Sequence, residues 1–400
     1  MSRSEAGPGR TGTGARGRGP RATFVAAILS VLDRRGEYGF TNRVNVTLFG
    51  YPKTGKTTLF NLLTGARAEV GGFEDGRREP NVRTCPLPDV RLDRIAALYP
   101  DRRKVAAALD LTDLVGISFG EVRTSLFLSL LRKADGLVHV VRAFRDERVP
   151  HPKGRVDPAE DIRFMEEELV LADLLAADGR LERLGKDLKK MTDPEAEKEK
   201  DVLERLRPFL ESGRGLRGAP LPPSDEKLVR SFAFLTLKPL LHAVNLDEAD
   251  AASLASPGDL YPIDAPGRRT MAFCGRIESE IAECEEREQA EFMAGYGLRE
   301  PSAARFCAQA LPWLDRVTFF TVGKDEVRAW AVRRGSTALN AAGAIHSDIE
   351  KGFIRAEVIP ADGLLALGSL QRAKDAGAIR LEGKDYAVRD GDVIYFRFAP

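Results

Sequence analysis

Hydrophobic and polar positions change rhythm several times along the chain. Val44 to Phe49 is an apolar run that predicts a buried strand, after which Leu59, Phe60, Leu62 and Leu63 recur at helical spacing. Upstream, Thr23 to Leu32 predicts a short helix. Downstream, Leu87 to Leu92 is strand-like, Ala106 to Leu111 predicts a strand ending in Thr112-Asp113, and Leu137 to Arg142 predicts a buried parallel strand with His139 as a satisfied core histidine. From Asp157-Pro158, an N-cap followed by a proline at the first helical position, strand signals cease until about Gly213. Leu181, Leu184, Leu188 and Met191 mark one apolar stripe there, and Val202, Leu203, Leu206, Phe209 and Leu210 mark a second. Thr192-Asp193-Pro194 separates them, so an antiparallel coiled-coil hairpin is predicted. Strands resume at Lys238 to Val244 and Met271 to Cys274, followed by an acidic helix from Glu278 to Phe292. From Val317 the chain is β-rich, with strands at Thr318 to Val322, Glu326 to Val332, Ala356 to Ile359 and Tyr386 to Phe398, and with Asp390-Gly391 as a hairpin-type turn.

Strand-then-helix alternation around a helical insertion predicts an α/β, doubly wound, mostly parallel sheet. The 400 residues, 43% of them hydrophobic, can fill two or three cores. With 61 basic against 60 acidic residues, net charge gives no general pull toward nucleic acid or membrane, and no apolar run is long enough for a membrane span. The first 21 residues differ, holding six glycines and five arginines against one acid, Glu5. They predict a flexible tail able to touch RNA phosphates. Cys85, Cys274, Cys284 and Cys307 lack CxxC or zinc-ligand spacing and read as reduced thiols of a cytosolic protein, a redox-sensing cysteine being the alternative.

The predicted first strand and helix are joined by Gly50-Tyr51-Pro52-Lys53-Thr54-Gly55-Lys56-Thr57, a full match to GxxxxGK[ST]. A phosphate chain needs backbone N–H groups aimed inward, and only glycine lets the main chain turn so sharply and come so close. Gly50 and Gly55 supply that, with Lys53, Thr54 and Thr58 around them. Lys56 is expected at the β- and γ-phosphates, and the Thr57 hydroxyl on Mg²⁺. Asp113, at a strand end and followed by x-x-Gly at Gly116, is the expected carboxylate for Mg²⁺, and the Gly116 amide the expected γ-phosphate sensor. Asn245-Leu246-Asp247-Glu248, at the carboxyl end of a later strand, is expected to meet the base.

From residue 44 to 399 the chain resembles the YchF/Obg-like ATPases of the translation-factor-related P-loop class. The resemblance rests on the P-loop, EPNV at Glu79 to Val82, HVVRAF at His139 to Phe144, GRVDP at Gly154 to Pro158, NLDE at Asn245 to Glu248 and IESEIAE at Ile277 to Glu283. Its most specific part is FFTVGKDEVRAWAVRRGSTALNAAGAIHSDIEKGFIRAEV, which looks like that family's TGS domain, a small β-grasp module. It leaves residues 1–43 outside as an N-terminal extension and implies a P-loop domain in two parts (44–153 and 228–316), a coiled-coil insertion (154–227) and a TGS-like domain (317–400). It also implies ATP over GTP, with Asn245 and the Leu246 backbone near adenine, because Leu246 replaces the lysine and Glu248 the aspartate of the guanine-reading NKxD. A cytoplasmic, monomeric, Mg²⁺-dependent ATPase that docks on the ribosome is implied, the hairpin and TGS module being contact surfaces. RNA contact is expected through the TGS module and the tail.

The switch segments depart from the family. Arg77 stands where members carry a threonine whose hydroxyl completes the Mg²⁺ shell, and no hydroxyl lies nearby before Thr84. Ile117 stands where GTPases use a water-orienting glutamine, as the family's hydrophobic residue does, but the glycine-rich segment after it is about four residues short. Tyr51 and Lys53 replace a preferred Leu and Asn. The expectation is slow or partner-dependent hydrolysis, with a hydrolysis-deficient adaptor or a GTPase as the alternatives. A small-molecule kinase would need an Arg-rich lid that no segment supplies.

Overall fold

The computed structural model describes residues 44–68, 80–114, 125–255 and 268–399. The predicted N-terminal tail and helix lie outside these residues, as do Arg77, Glu79, Gly116, Ile117 and the shortened segment after it.

The first half contains β1 (Val44–Phe49), α1 (Lys56–Thr64), β2 (Asn81–Leu87), α2 (Val90–Ala97), β3 (Arg103–Val105), β4 (Ala107–Asp113), α3 (Ser125–Lys133) and β5 (Gly136–Arg142). The long helices α4 (Pro158–Asp187) and α5 (Pro194–Glu211) follow, then α6 (Pro223–Val229), β6 (Leu240–Asn245), β7 (Arg268–Phe273), α7 (Gly275–Glu283), α8 (Glu286–Gly295) and α9 (Ser302–Trp313). The remainder is β8 (Arg316–Val322), β9 (Glu326–Arg333), α10 (Ala338–Ile345), α11 (Ser347–Lys351), β10 (Phe353–Pro360), α12 (Ala361–Leu367), α13 (Leu370–Asp375), β11 (Arg380–Glu382) and β12 (Asp392–Phe398).

The strands build two sheets. In the first, ordered β2-β4-β1-β5-β6-β7, every pairing is parallel except β2 with β4. Its central strands are apolar on both faces, and β5 and β6 are buried along their whole length, as parallel strands covered on two sides must be. Leu59, Phe60, Leu63, Phe306 and Trp313 of α1 and α9 cover one face; Leu131, Met165 and Leu169 of α3 and α4 cover the other. The second sheet, ordered β11-β10-β12-β8-β9-β3, pairs β8 with β12 in parallel and β8 with β9 and β10 with β12 antiparallel.

Several expectations are corrected. Leu87 to Leu92 is not a strand: Leu87 ends β2, and Asp89 caps α2 by accepting from the Arg91 N–H at 2.8 Å. That helix packs Leu92 and Ile95 into the core of the second sheet, and β3 adds an edge strand beside β9, so the C-terminal module draws on residues far upstream of 317. The acidic helix breaks into α7 and α8 around Cys284 and Glu285. Tyr386 to Gly391 is not strand. Gly391 has φ +89°, and the turn leads into β12, whose partners are β10 and β8 rather than a hairpin mate.

The helical hairpin starts where its caps dictate. Asp157 accepts from Glu160 N–H, and Asp193 accepts from Glu195 and Ala196 N–H. Leu184, Val202, Leu203, Leu206 and Leu210 form its seam, but Met191 is 71% exposed, because α4 has ended before it. Arg180 of α4 makes two 2.8 Å bonds to Glu199 of α5. The root is pinned by the fully buried Asp173, which accepts from Leu235 N–H, Thr236 N–H and the Thr236 hydroxyl at 2.7–2.9 Å.

Candidate nucleotide-binding site

The loop of residues 50–57 leaves β1 at the carboxyl edge of the first sheet, and sterics set its path. Gly50 has φ +144°, and a Cβ there would lie 2.5 Å from the Val140 carbonyl oxygen of β5. Gly55, φ +96°, precedes α1 with no side-chain cap, and a Cβ on it would lie 2.3 Å from Asn245 Nδ2. The first-turn N–H groups of α1 are therefore left to an external acceptor, the usual arrangement for an anion. Lys53 stands exposed at the crest in the left-handed region, φ +60°.

The loop is folded on itself. The Tyr51 carbonyl accepts from Thr54 Oγ1 at 3.1 Å and from Lys56 Nζ at 2.6 Å. Burial lowers the Lys56 ammonium to about 8, against the pull of the Asp113 carboxylate. Thr57 Oγ1 donates to Asp113 Oδ2 at 2.8 Å, bringing together two residues 56 apart in sequence. Burial raises the Asp113 carboxyl, an effect opposed by the Thr57 bond, the Lys56 charge and the Asn81 side chain. Asp113 Oδ1 is buried without a hydrogen bond among the described residues. One hydroxyl and one carboxylate with a spare oxygen fit Mg²⁺, which keeps most of its waters and is completed by phosphate oxygens. Among the described residues no three His, Cys, Asp or Glu side chains converge as an all-protein metal cage.

The tetrad after β6 is dispersed. Asn245 lies beneath the loop, its Nδ2 donating to the Thr54 carbonyl at 3.1 Å and its Oδ1 accepting from Gly275 N–H at 3.0 Å. It clasps β6, the loop and the start of α7, and Thr58 packs against Gly275 from the first turn of α1. The Leu246 side chain turns into the core with Val141, Ala272 and Ile277, and its N–H donates to the Phe273 carbonyl at 2.8 Å. These bonds occupy one N–H of the Asn245 amide and the Leu246 N–H, and leave the amide its second N–H for a base. Asp247 accepts from Arg145 N–H at 3.0 Å, and Glu248 pairs with Arg276 at 2.9 Å on the surface. Lys56, Thr57 and Asp113 thus converge, Asn245 joins them from below, and Leu246 and Glu248 do not.

Two neighbourhoods have no counterpart in the motif analysis. The buried Tyr51 ring meets His151 edge-on at 6.3 Å; His151 Nε2 lies 3.0 Å and Lys153 Nζ 3.2 Å from the Asp161 carboxylate at the root of α4. Burial, with Asp161, Glu168 and Glu160 nearby, pushes the Tyr51 phenol up to about 12. Behind β1, His139 stacks on Phe49 at 5.2 Å, and its Nδ1 lies 3.3 Å from His242 Nδ1. His242 Nε2 in turn lies 3.2 Å from Glu166, which pairs with Arg268 at 3.1 Å. His139 is the core histidine the sequence predicts, but satisfied on one side: its Nε2 has no hydrogen bond among the described residues. The only signals were an unusual Tyr51 and single histidines, which spacing alone does not connect.

Comparison with known proteins follows the same outline. A family profile described as a 50S ribosome-binding GTPase matches residues 45–173, and the profile YchF-GTPase_C, described as a protein of unknown function, matches 317–399. The Bacillus subtilis protein named Ribosome-binding ATPase YchF is 39% identical over 88% of this chain and 98% of its own length. Obg-like ATPase 1 of Oryza sativa subsp. japonica is 32% identical over 90% and 93%. The structure titled Schizosaccharomyces pombe YchF GTPase superposes with a TM-score of 0.75 at 26% identity, covering 90% of this chain and 99% of that one.

Proposed function

This chain belongs to the YchF family of Obg-like ATPases, and on that premise we propose that it binds ATP on the 50–57 loop, hydrolyses it slowly to ADP and phosphate, and uses the nucleotide state to govern docking on the ribosome. The observation that carries this reading is the convergence of Lys56, Thr57 and Asp113 at the open N-terminus of α1. Lys56 exchanges the Tyr51 carbonyl for the β- and γ-phosphates. Thr57 and Asp113 would hold Mg²⁺, which would supply charge neutralisation at the phosphate oxygens. The loop N–H groups orient the triphosphate, Asn245 fixes the loop from below, and the Gly116 amide senses the γ-phosphate beside Ile117. ATP is favoured over GTP because Leu246 and Glu248 lack the lysine stack and the short aspartate that read guanine. Names among the relatives point both ways, ATPase for the curated proteins and GTPase for the profile and the fission-yeast structure. On this reading the protein acts in the cytoplasm as a monomer, with the α4–α5 hairpin and the second sheet as its ribosome contact surfaces and RNA contact through that sheet and the basic tail.

A second reading, a nucleotide-bound adaptor without turnover, is favoured by Arg77 and the shortened segment after Ile117. Titration with Mg²⁺ and fluorescent ATP or GTP, with phosphate release followed in the same samples with and without ribosomes, separates the two. ATP binding with release supports the ATPase. ATP binding with no release even with ribosomes supports the adaptor, and preference for GTP removes the assignment of the base.

A further inference from the structure

We propose that Cys85 and Cys307 form an intramolecular disulfide when the protein meets a peroxide, stapling edge strand β2 to helix α9. Cys85 is 1% exposed in the core between β2 and the helices, and Cys307 is half-buried on the face of α9 that packs against it. The two thiols are close enough for Cys307 to perturb the charge of Cys85. Both also lean on one acceptor, the Pro86 carbonyl, at 3.9 Å from Cys85 Sγ and 3.7 Å from Cys307 Sγ. They come from segments 222 residues apart, as 307 − 85 gives, so tertiary packing alone creates the pair. Two sulfurs that share one acceptor lie within side-chain reach of each other, and rotation about their Cα–Cβ bonds is the movement that closes the S–S bond.

The half-exposed Cys307 is the point of entry. Its thiolate attacks one peroxide oxygen, the O–O bond breaks, hydroxide leaves, and Cys307 becomes a sulfenic acid. The Cys85 thiolate then attacks the Cys307 sulfur, the S–S bond forms and a second hydroxide leaves; with the two thiol protons the balance is two thiols plus hydrogen peroxide to one disulfide plus two waters. The neighbouring Cys307 sulfur, and after it burial, hold the Cys85 thiol well above its ordinary range, so closure quickens as pH rises. The staple bears on the nucleotide end of the sheet. Strand β2 begins at Asn81, which pairs in register with Asp113 of β4, and α9 carries the chain from the first sheet into β8.

The test treats the full chain with hydrogen peroxide, blocks remaining thiols, digests without reductant and reads linked peptides by mass spectrometry. The expected result is a Cys85–Cys307 peptide pair two hydrogens lighter than its parts, from monomeric protein. It should be absent in Cys307→Ser, a half-buried change that spares the core, and amide exchange over residues 81–87 should slow by at least about tenfold after oxidation. The proposal is overturned if Cys307 advances to sulfinic acid with Cys85 still free, if either thiol links instead to Cys274 or Cys284, or if the linked peptides come only from covalent dimers.

Discussion

Replacing Asn245 by alanine tests whether this side chain reads the base or holds the loop. Its amide donates to the Thr54 carbonyl at 3.1 Å and accepts from Gly275 N–H at 3.0 Å, both buried. Alanine leaves an N–H and a carbonyl without partners; at about 1–3 kcal/mol for a buried orphan, with the carbonyl at the lower end, the loss is ~2–4 kcal/mol. Part of this falls on global stability, read as a lower urea midpoint. Part falls on the loop, because Thr54 and Gly55 lose the clasp that fixes their N–H groups. Affinity for ATP, ADP and GTP should drop together, by roughly tenfold or more if half of the loss is felt at the loop. The assay is fluorescent-nucleotide titration of wild type and Asn245→Ala, with Glu182→Gln on the exposed hairpin as a surface control. Unchanged affinity for all three nucleotides, or a change in the ATP to GTP ratio at constant stability, would refute this account.

Gly50→Ala forces a Cβ against the Val140 backbone oxygen 2.5 Å away, with φ at +144°, and should abolish nucleotide binding and lower stability by ~2 kcal/mol or more, measured by titration and urea unfolding. Lys56→Ala should cut ATP turnover or affinity at least about a hundredfold. In the wild type, the free-protein value near 8 for Lys56 means that ATP affinity holds below pH 8 and weakens above it, as the uncharged amine must regain a proton to bind; a flat profile to pH 9.5 would argue against Lys56 at the phosphates. Burial holds His139 and His242 below the ordinary imidazole value of 6.5, so the unfolded chain takes up protons first as pH falls. Stability should then fall below about pH 6.5 by roughly 1.4 kcal/mol per pH unit for each imidazole, and His242→Tyr should lessen that slope in acid denaturation.

The local chemistry of this protein is written in short sequence windows. The 50–57 glycines, the buried runs of β1, β5 and β6, and the Asp-Pro caps of α4 and α5 each depend on neighbours a few residues away, so periodicity, turn sterics and capping identify them without a fold. Asp113 was legible for the same reason, as a carboxylate at a strand end. What needed the tertiary structure is everything set by pairing across the chain. Leu87–Leu92 looks like strand until Asp89 caps a helix whose apolar side serves the second sheet. β3 is too short to announce itself and exists because β9 offers it a free edge. Asn245 reads as a base contact from its place after β6, and only the fold shows that its amide also clasps the loop and Gly275. Sequence determines which groups can make hydrogen bonds, but which of them are already spent is decided only when distant segments meet, because each buried donor and acceptor has to find its partner in three dimensions.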